Sequence, residues 1–255
     1  MEKIIVFDLD GTLLNSNSEI DEQTQKAIRD LDRNKYLPII ATGRGPKDYQ
    51  DIADMLNIDV VIGMNGHIVT DKHKIIYSSP MNPAHFEDFL QISEQLQAPL
   101  VFFGENTSKA TFSNEKLSNY SKILNISLPK IDPYFYKNEK IYMTVFATDQ
   151  DIPREYYTKF INVEFVRTSP VCIDIVTDGI SKKTGILEFI KNISNKTEII
   201  CFGDSLNDLE MFEFCDYSIA MGNAKKELKE IADFVTLDND NLGIINGLTK
   251  LNLIK

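Results

Sequence analysis

Ile4-Ile5-Val6-Phe7-Asp8-Leu9-Asp10-Gly11-Thr12 opens the 255-residue chain with four apolar residues that run straight into two carboxylates. A short continuous apolar run, rather than an alternating one, is what a parallel strand covered on both faces looks like. Residues 37–41 repeat the pattern and run into Thr42-Gly43-Arg44. Residues 199–202 repeat it again and run into Gly203-Asp204, with Asn207-Asp208 close behind. Further runs at 60–64, 217–221 and 234–236 read the same way. Helical periodicity falls between them, at 21–34 with Asp21 as N-cap, 46–56, 182–193, 206–214 and 224–232. Strand–helix alternation of this kind predicts an α/β fold, a doubly wound (Rossmann-like) parallel sheet.

The middle of the chain departs from that rhythm. Between about 80 and 179, helical stretches at 85–97 and 114–124 interleave with strand-like runs at 100–103, 141–147 and 171–176. The last sets one charge, Asp174, among apolar residues, as a half-exposed strand would. Turn-rich Ser78-Ser79-Pro80-Met81-Asn82-Pro83 and Thr177-Asp178-Gly179 bound the segment. Because the doubly wound pattern resumes afterwards, the segment reads as an α+β domain inserted into the core. The expected boundaries are 1–79 with 182–255 for the core and 80–181 for the insert.

Composition narrows the function classes. Hydrophobic residues at 43% and charged residues at 25% argue against a disordered or fibrous chain. No apolar run approaches the ~18 residues of a membrane span, and the first run is too short for a signal peptide, so a cytoplasmic protein is expected. A net charge of −11 speaks against nucleic acid as a partner. Cys172, Cys201 and Cys215 fit no metal spacing and read as free thiols. His67, His73 and His85 make no metal-binding pair, and His67 is expected in an exposed loop. An acidic chain repels a phosphorylated ligand at long range. Capture of one therefore needs local positive charge from a cation, a lysine or helix N-termini.

The strand ends supply such groups. Ligands of open α/β sheets bind outside the carboxyl ends of the strands. Asp8 and Asp10, two apart on extended backbone, point to one side with ~7 Å between their Cα atoms. Close carboxylates repel unless a cation lies between them. Asp204 adds a third, and an all-oxygen set suits Mg²⁺. Gly11 permits close backbone approach, Thr12 and Thr42 offer hydroxyls, and Lys182 opens a helix at its positive end. Alone, Asp-x-Asp is equally a solvated loop, Lys182 a surface lysine and 203–208 a turn with an N-cap. The force of the reading lies in all four signals arriving in order, three of them at strand ends.

Asp8-Leu9-Asp10-Gly11-Thr12, Thr42-Gly43-Arg44, Lys182 and Gly203-Asp204 with Asn207-Asp208 together resemble the haloacid dehalogenase (HAD) superfamily. The resemblance extends to Met64-Asn65-Gly66 and to Ala220-Met221-Gly222-Asn223-Ala224. An insert between the second and third motifs resembles the class IIB cap of Cof-type hydrolases. The resemblance implies an Mg²⁺-dependent phosphomonoester hydrolase acting through an aspartyl-phosphate. It makes Asp8 the nucleophile and Asp10 the general acid and base, with Mg²⁺ held by Asp8, the Asp10 carbonyl and Asp204. Thr42, the Gly43 backbone, Lys182 and Asn207 would bind phosphate; Thr12 and Asp208 would support the site. The implied substrate is a small phosphorylated metabolite, sugar phosphates first, then pyridoxal phosphate or flavin mononucleotide, with the cap setting the choice. A phosphomutase on the same core and a non-catalytic binding protein are the alternatives. The family usually has glycine after its motif lysine. This chain departs from that with Lys183; the frame Gly179-Ile180-Ser181-Lys182 makes Lys182 the favoured motif lysine and Lys183 the second candidate. Asn65, Gly66 and His67 follow a strand end and are expected near the site entrance.

Overall fold

β1 (Lys3–Phe7) runs through the interior of an eight-stranded sheet in the computed structural model, which describes residues 2–157, 159–191, 193 and 197–254. The chain packs as two units, one of residues 1–44, 48–78 and 181–255, the other of 45–47 and 79–180. After β1 come α1 (Glu22–Arg29), β2 (Tyr36–Ala41), α2 (Pro46–Met55), β3 (Val60–Gly63), β4 (Ile68–Asp71) and β5 (Lys74–Ser78). The second unit holds α3 (Phe86–Gln95), β6 (Leu100–Phe103), β7 (Ser108–Ala110), α4 (Glu115–Ile123), β8 (Lys130–Ile131), β9 (Met143–Ala147), α5 (Arg154–Tyr157), β10 (Val163–Ser169) and β11 (Cys172–Thr177). The first unit resumes with α6 (Lys182–Ile190), β12 (Glu198–Gly203), α7 (Leu209–Phe214), β13 (Tyr217–Ala220), α8 (Lys226–Ile231), β14 (Phe234–Val235) and α9 (Gly243–Lys250).

The large sheet has the order β14-β13-β12-β1-β2-β3-β4-β5. It is parallel from β14 to β3 and antiparallel through β4 and β5. From β1 the chain builds outward to one side through β2, and after the insert it returns on the other side with β12. The gap between β1 and β12 is thus a topological switch point, where open α/β sheets bind ligands. Ile4, Ile5, Val6 and Phe7 are fully buried, and the Phe7 ring stacks on Phe202 of β12 at 5.2 Å. Phe7 pairs with both Phe202 and Ile40, which brings three strand ends level.

Several details differ from the sequence reading. Asp21 does cap α1, its carboxylate accepting from Gln23 N at 2.8 Å, but the helix stops at Arg29. Asp32 then bends the chain, accepting from Asn34 N at 3.1 Å, a side-chain turn that competes with helix. α6 closes at Ile190, and residue 192 of the expected 182–193 helix lies outside the described residues. The β4–β5 hairpin was not anticipated. Its two-residue turn, Lys72-His73, has φ +48° and +63°, yet lacks the Asn-Gly pair that usually advertises such a turn. α9 was also missed.

The second unit is a six-stranded sheet, β10-β11-β9-β6-β7-β8, antiparallel except between β7 and β8. Phe86 and Phe89 of α3 pack with Phe102, Phe146, Ile173 and Ile175 to form its core. The expectation of a half-exposed strand at 171–176 is corrected. β11 lies between β9 and β10, and Asp174 is buried, set by register between Val145 and Val166. Among the described residues no helix is long and apolar enough to cross a membrane.

One turn in the first unit places the start of α6. Met64–Gly66 follows β3 as a single 3₁₀ turn, with Gly66 at φ +98°. A Cβ on Gly66 would lie 2.0 Å from the Ser181 carbonyl oxygen. Gly66→Ala is therefore expected to cost at least about 2 kcal/mol, combining overpacking with a left-handed backbone. Gly179→Ala shares the positive φ, +75°, but meets nothing within 4 Å, and should cost about 1 kcal/mol. Urea unfolding of both variants checks the order; equal losses would show that the Gly66 contact is relieved without cost.

Candidate active site

Lys182, the first residue of α6, is fully buried. Thr184 Oγ1 accepts from Ser181 N at 2.9 Å and so satisfies one of the donors left open at the helix start. From this fixed position Lys182 Nζ donates to Asp8 Oδ1 at 2.5 Å and to Asp208 Oδ1 at 2.6 Å. Asp208 is itself buried, and its Oδ2 accepts from the backbone N–H groups of Asp204 (2.9 Å) and Ser205 (3.0 Å). Lys182 is therefore the lysine paired to both carboxylates, and the half-buried Lys183 follows it on the helix.

Asp8 follows β1, with its N–H on the Phe202 carbonyl at 3.1 Å, and Asp204 follows β12. Gly11, at φ +77°, lets the first loop close against the second: a Cβ there would meet Asp204 Oδ2 at 2.4 Å. Oxygens of Asp8, Asp204 and Asp208 all lie within 4.8 Å of one another. One buried ammonium faces three carboxylates. Burial pushes the Asp8 carboxyl well above the ordinary range, against the pull of Lys182. Burial, aided by Asp208, pushes Asp204 up to about 6. Burial also opposes the charged form of Lys182, but Asp208 and Asp8 outweigh it and hold the ammonium above its usual range.

This excess of negative charge fits a divalent cation. Asp204 Oδ1 is buried and has no hydrogen-bond partner among the described residues. Both Asp208 oxygens, by contrast, are occupied by Lys182 and backbone N–H groups, which leaves Asp8 and Asp204 as the available carboxylate donors. An all-oxygen set of this kind is what Mg²⁺ takes.

Asp10 sits apart from that cluster. Its exposed carboxylate is held by Arg44 in a two-pronged ion pair, Nη2 to Oδ1 at 2.6 Å and Nε to Oδ2 at 2.9 Å. Arg44 was quoted in the second motif without a role. Thr42 is buried, and its Oγ1 accepts from Arg44 N at 3.0 Å. Gly43 lies against Asn65, whose Oδ1 would be 3.2 Å from a Cβ there. Asn207 Nδ2 donates to the same Asn65 Oδ1 at 3.0 Å, so Asn65 joins the second motif to the fourth. The signal was its Asn-Gly pair: Asn65 takes φ +52°, the left-handed region asparagine tolerates. Thr12 is buried, with its hydroxyl unpaired among the described residues. His67 corrects an expectation. It is fully buried rather than exposed, because Met64–Gly66 folds the chain back into β4, with His67 N on the Met64 carbonyl at 3.2 Å.

Comparisons with known proteins converge. A family model described as haloacid dehalogenase-like hydrolase matches residues 5–248. The Bacillus subtilis (strain 168) protein named "Putative phosphatase YkrA" is 34% identical over 257 residues, with 99% of each chain covered. The crystal structure of a hypothetical protein from Geobacillus kaustophilus HTA426 is similar at TM-score 0.90 and 32% identity, with 100% of both chains covered. The sugar phosphatase BT4131, of HAD subclass IIB, is similar at TM-score 0.88 and 26% identity, covering 99% of this chain and 100% of that one.

Removing Lys182 strands two buried carboxylates. Lys182→Met is expected to destabilise the metal-free fold by about 3 kcal/mol, and Lys183→Ala by less than about 0.5 kcal/mol. Denaturant unfolding checks both; the reverse order would put Lys183 in the site. Asp204 gives a pH dependence. Its folded pKa is raised from 3.8 to about 6, so its contribution to stability is complete below 3.8 and is lost as pH rises through about 6. The metal-free protein should therefore lose stability across that window, and Asp204→Asn should flatten the loss. A wild-type slope retained in Asp204→Asn would assign it to another group.

Proposed function

The chain belongs to the haloacid dehalogenase-like hydrolase family, and we propose that it is an Mg²⁺-dependent phosphomonoester hydrolase of small phosphorylated metabolites. The observation that carries this reading is Asp8. It is a buried carboxylate at the end of an interior parallel strand, at the sheet's switch point, with Lys182 Nζ on one oxygen.

In this reading Asp8 attacks phosphorus while the bond to the leaving oxygen breaks, giving an aspartyl-phosphate and an alcohol. Asp10 gives the leaving oxygen its proton. It then takes a proton from water, which attacks the aspartyl-phosphate and frees inorganic phosphate and Asp8. Asp10 can do neither while both its oxygens are held by Arg44, so that pair must open during turnover. Lys182, the Thr42 hydroxyl and the Gly43 N–H bind the phosphoryl oxygens, with Asn207 beside them and Asp208 fixing Lys182. Thr12 supports the loop. Mg²⁺, held by Asp8, the Asp10 carbonyl and Asp204, would offset charge on the phosphoryl oxygens.

Sugar phosphates are the leading substrate class, supported by likeness to a subclass IIB sugar phosphatase over nearly the whole chain. The inserted unit is the part we assign to substrate choice. Free Cys172, Cys201 and Cys215 fit a reducing compartment, and we place the enzyme in the cytoplasm.

The test is hydrolysis of p-nitrophenyl phosphate and of a sugar-phosphate panel. Mg²⁺ should support turnover and a chelator should stop it. Asp8→Asn, with an unchanged circular dichroism spectrum, should lower kcat by at least about 10³-fold. Metal-independent hydrolysis, or an active Asp8→Asn, would overturn the proposal. Arg44→Ala tests the ion pair: because the pair must open before Asp10 can move a proton, its loss should raise kcat by up to about tenfold with little change in KM. An unchanged kcat would show that the pair plays no part in turnover.

A further inference from the structure

Among the described residues Asn223 makes no hydrogen bond to Asp8 or Asp204, yet its segment holds both of their loops. Its Nδ2 donates to the Gly11 carbonyl at 2.8 Å, and its Oδ1 accepts from Asn239 N at 3.0 Å. The partners are an acceptor and a donor, so the orientation of the amide is fixed by their chemistry. Two residues on, Lys225 N donates to the Asp204 carbonyl at 2.8 Å, and Met221 N donates to the Gly203 carbonyl at 3.0 Å. Segment 221–225 is thus bonded to the Asp204 loop by its backbone and to the Asp8–Asp10 loop by one side chain. Gly11 is where those loops press together, since a Cβ there would collide with Asp204 Oδ2. The same side of the molecule ties the first loop down further along: Asn239 Nδ2 donates to the Leu14 carbonyl at 2.8 Å, and Ser16 N and Oγ donate to Asp240 at 2.9 and 2.5 Å.

We propose that Asn223 is a positioning residue that sets the separation of the Asp8 and Asp204 carboxylates, and through it the affinity for the divalent cation. The proposal rests on the cation reading of the site. Cation sites demand near-ideal spacing, Mg²⁺ above all, and residues that orient ligands at one remove typically shift metal affinity by about 10–100-fold. Tethers further along the loop act at Leu14 and Ser16, away from the Gly11 contact, and should matter less.

Asn223→Asp isolates the bond in question. It can still accept from Asn239 N but cannot donate to Gly11, whose carbonyl then faces a carboxylate oxygen. Two readouts are needed: the Mg²⁺ concentration that half-saturates the rise in unfolding midpoint, and the concentration that half-activates p-nitrophenyl phosphate hydrolysis. Both are expected to rise at least about tenfold, while KM at saturating Mg²⁺ changes less than about threefold. The metal-free unfolding midpoint should stay within about 2 °C of wild type, because Asn223 is exposed. Asn223→Ala should act in the same direction and serves if the aspartate variant misfolds. Asn239→Ala, which keeps the backbone N–H to Asn223, should leave both Mg²⁺ concentrations within about threefold. Wild-type Mg²⁺ dependence in both Asn223 variants would overturn the proposal. A wild-type protein that binds Mg²⁺ but hydrolyses nothing would sink the phosphatase reading instead, and the thermal readout would still decide the role of Asn223.

Discussion

A single buried ammonium, Lys182 Nζ between Asp8 and Asp208, is the interaction on which the first unit is arranged. Burying three charged groups together is expensive, and a hydrophobic replacement would often be no less stable. The fold nevertheless spends several constraints on keeping it. β1 and β12 must end level, so that Asp8 and Asp208 reach the same point. Gly203 must lack a side chain, since a Cβ there would meet Asp208 Oδ2 at 2.6 Å. Gly66 must let the turn after β3 close on Ser181, one residue before Lys182. Under the proposed reaction these requirements fix a positive charge in advance where phosphoryl oxygens would gather, and a preorganised charge needs no rearrangement at the moment of reaction.

The same arrangement separates two carboxylates that are neighbours in the chain. Asp8 is buried against Lys182, whereas Asp10 is exposed and paired with Arg44. In the proposed mechanism it is environment, not residue type, that divides nucleophile from proton carrier, as in other enzymes that use two carboxyl groups for two roles. Burial first, and the neighbouring carboxylates after it, push the Asp8 and Asp204 carboxyls upward, and the imbalance of charge around them is what a divalent cation would relieve.

The strands carrying Asp8, Thr42 and Asp204 were legible because each is a short continuous apolar run that stops at polar residues. Lys182 was legible only through its place after Gly179-Ile180-Ser181; nothing local marks it as buried. Asn65 and Arg44 were quoted as motif members but not given their parts, since their partners, Asn207 and Asp10, are 142 and 34 residues away. His67 was misplaced because a turn through left-handed residues, not an open loop, follows β3. The Lys72-His73 hairpin escaped notice for a related reason: positive φ in residues that seldom take it leaves no mark in composition. Asp174 shows the limit of period-two reasoning, because a strand with neighbours on both sides can bury a polar residue too.

The central claim is that Asp8 forms a covalent bond to phosphorus, and trapping that bond tests it most directly. Borohydride added during turnover reduces an aspartyl-phosphate to homoserine, which mass spectrometry of the digested protein can locate. The account predicts homoserine at residue 8, dependent on substrate and Mg²⁺ and absent without either. Hydrolysis that continues at full rate with no modification of residue 8, or with modification at Asp10 or Asp204 instead, would contradict it.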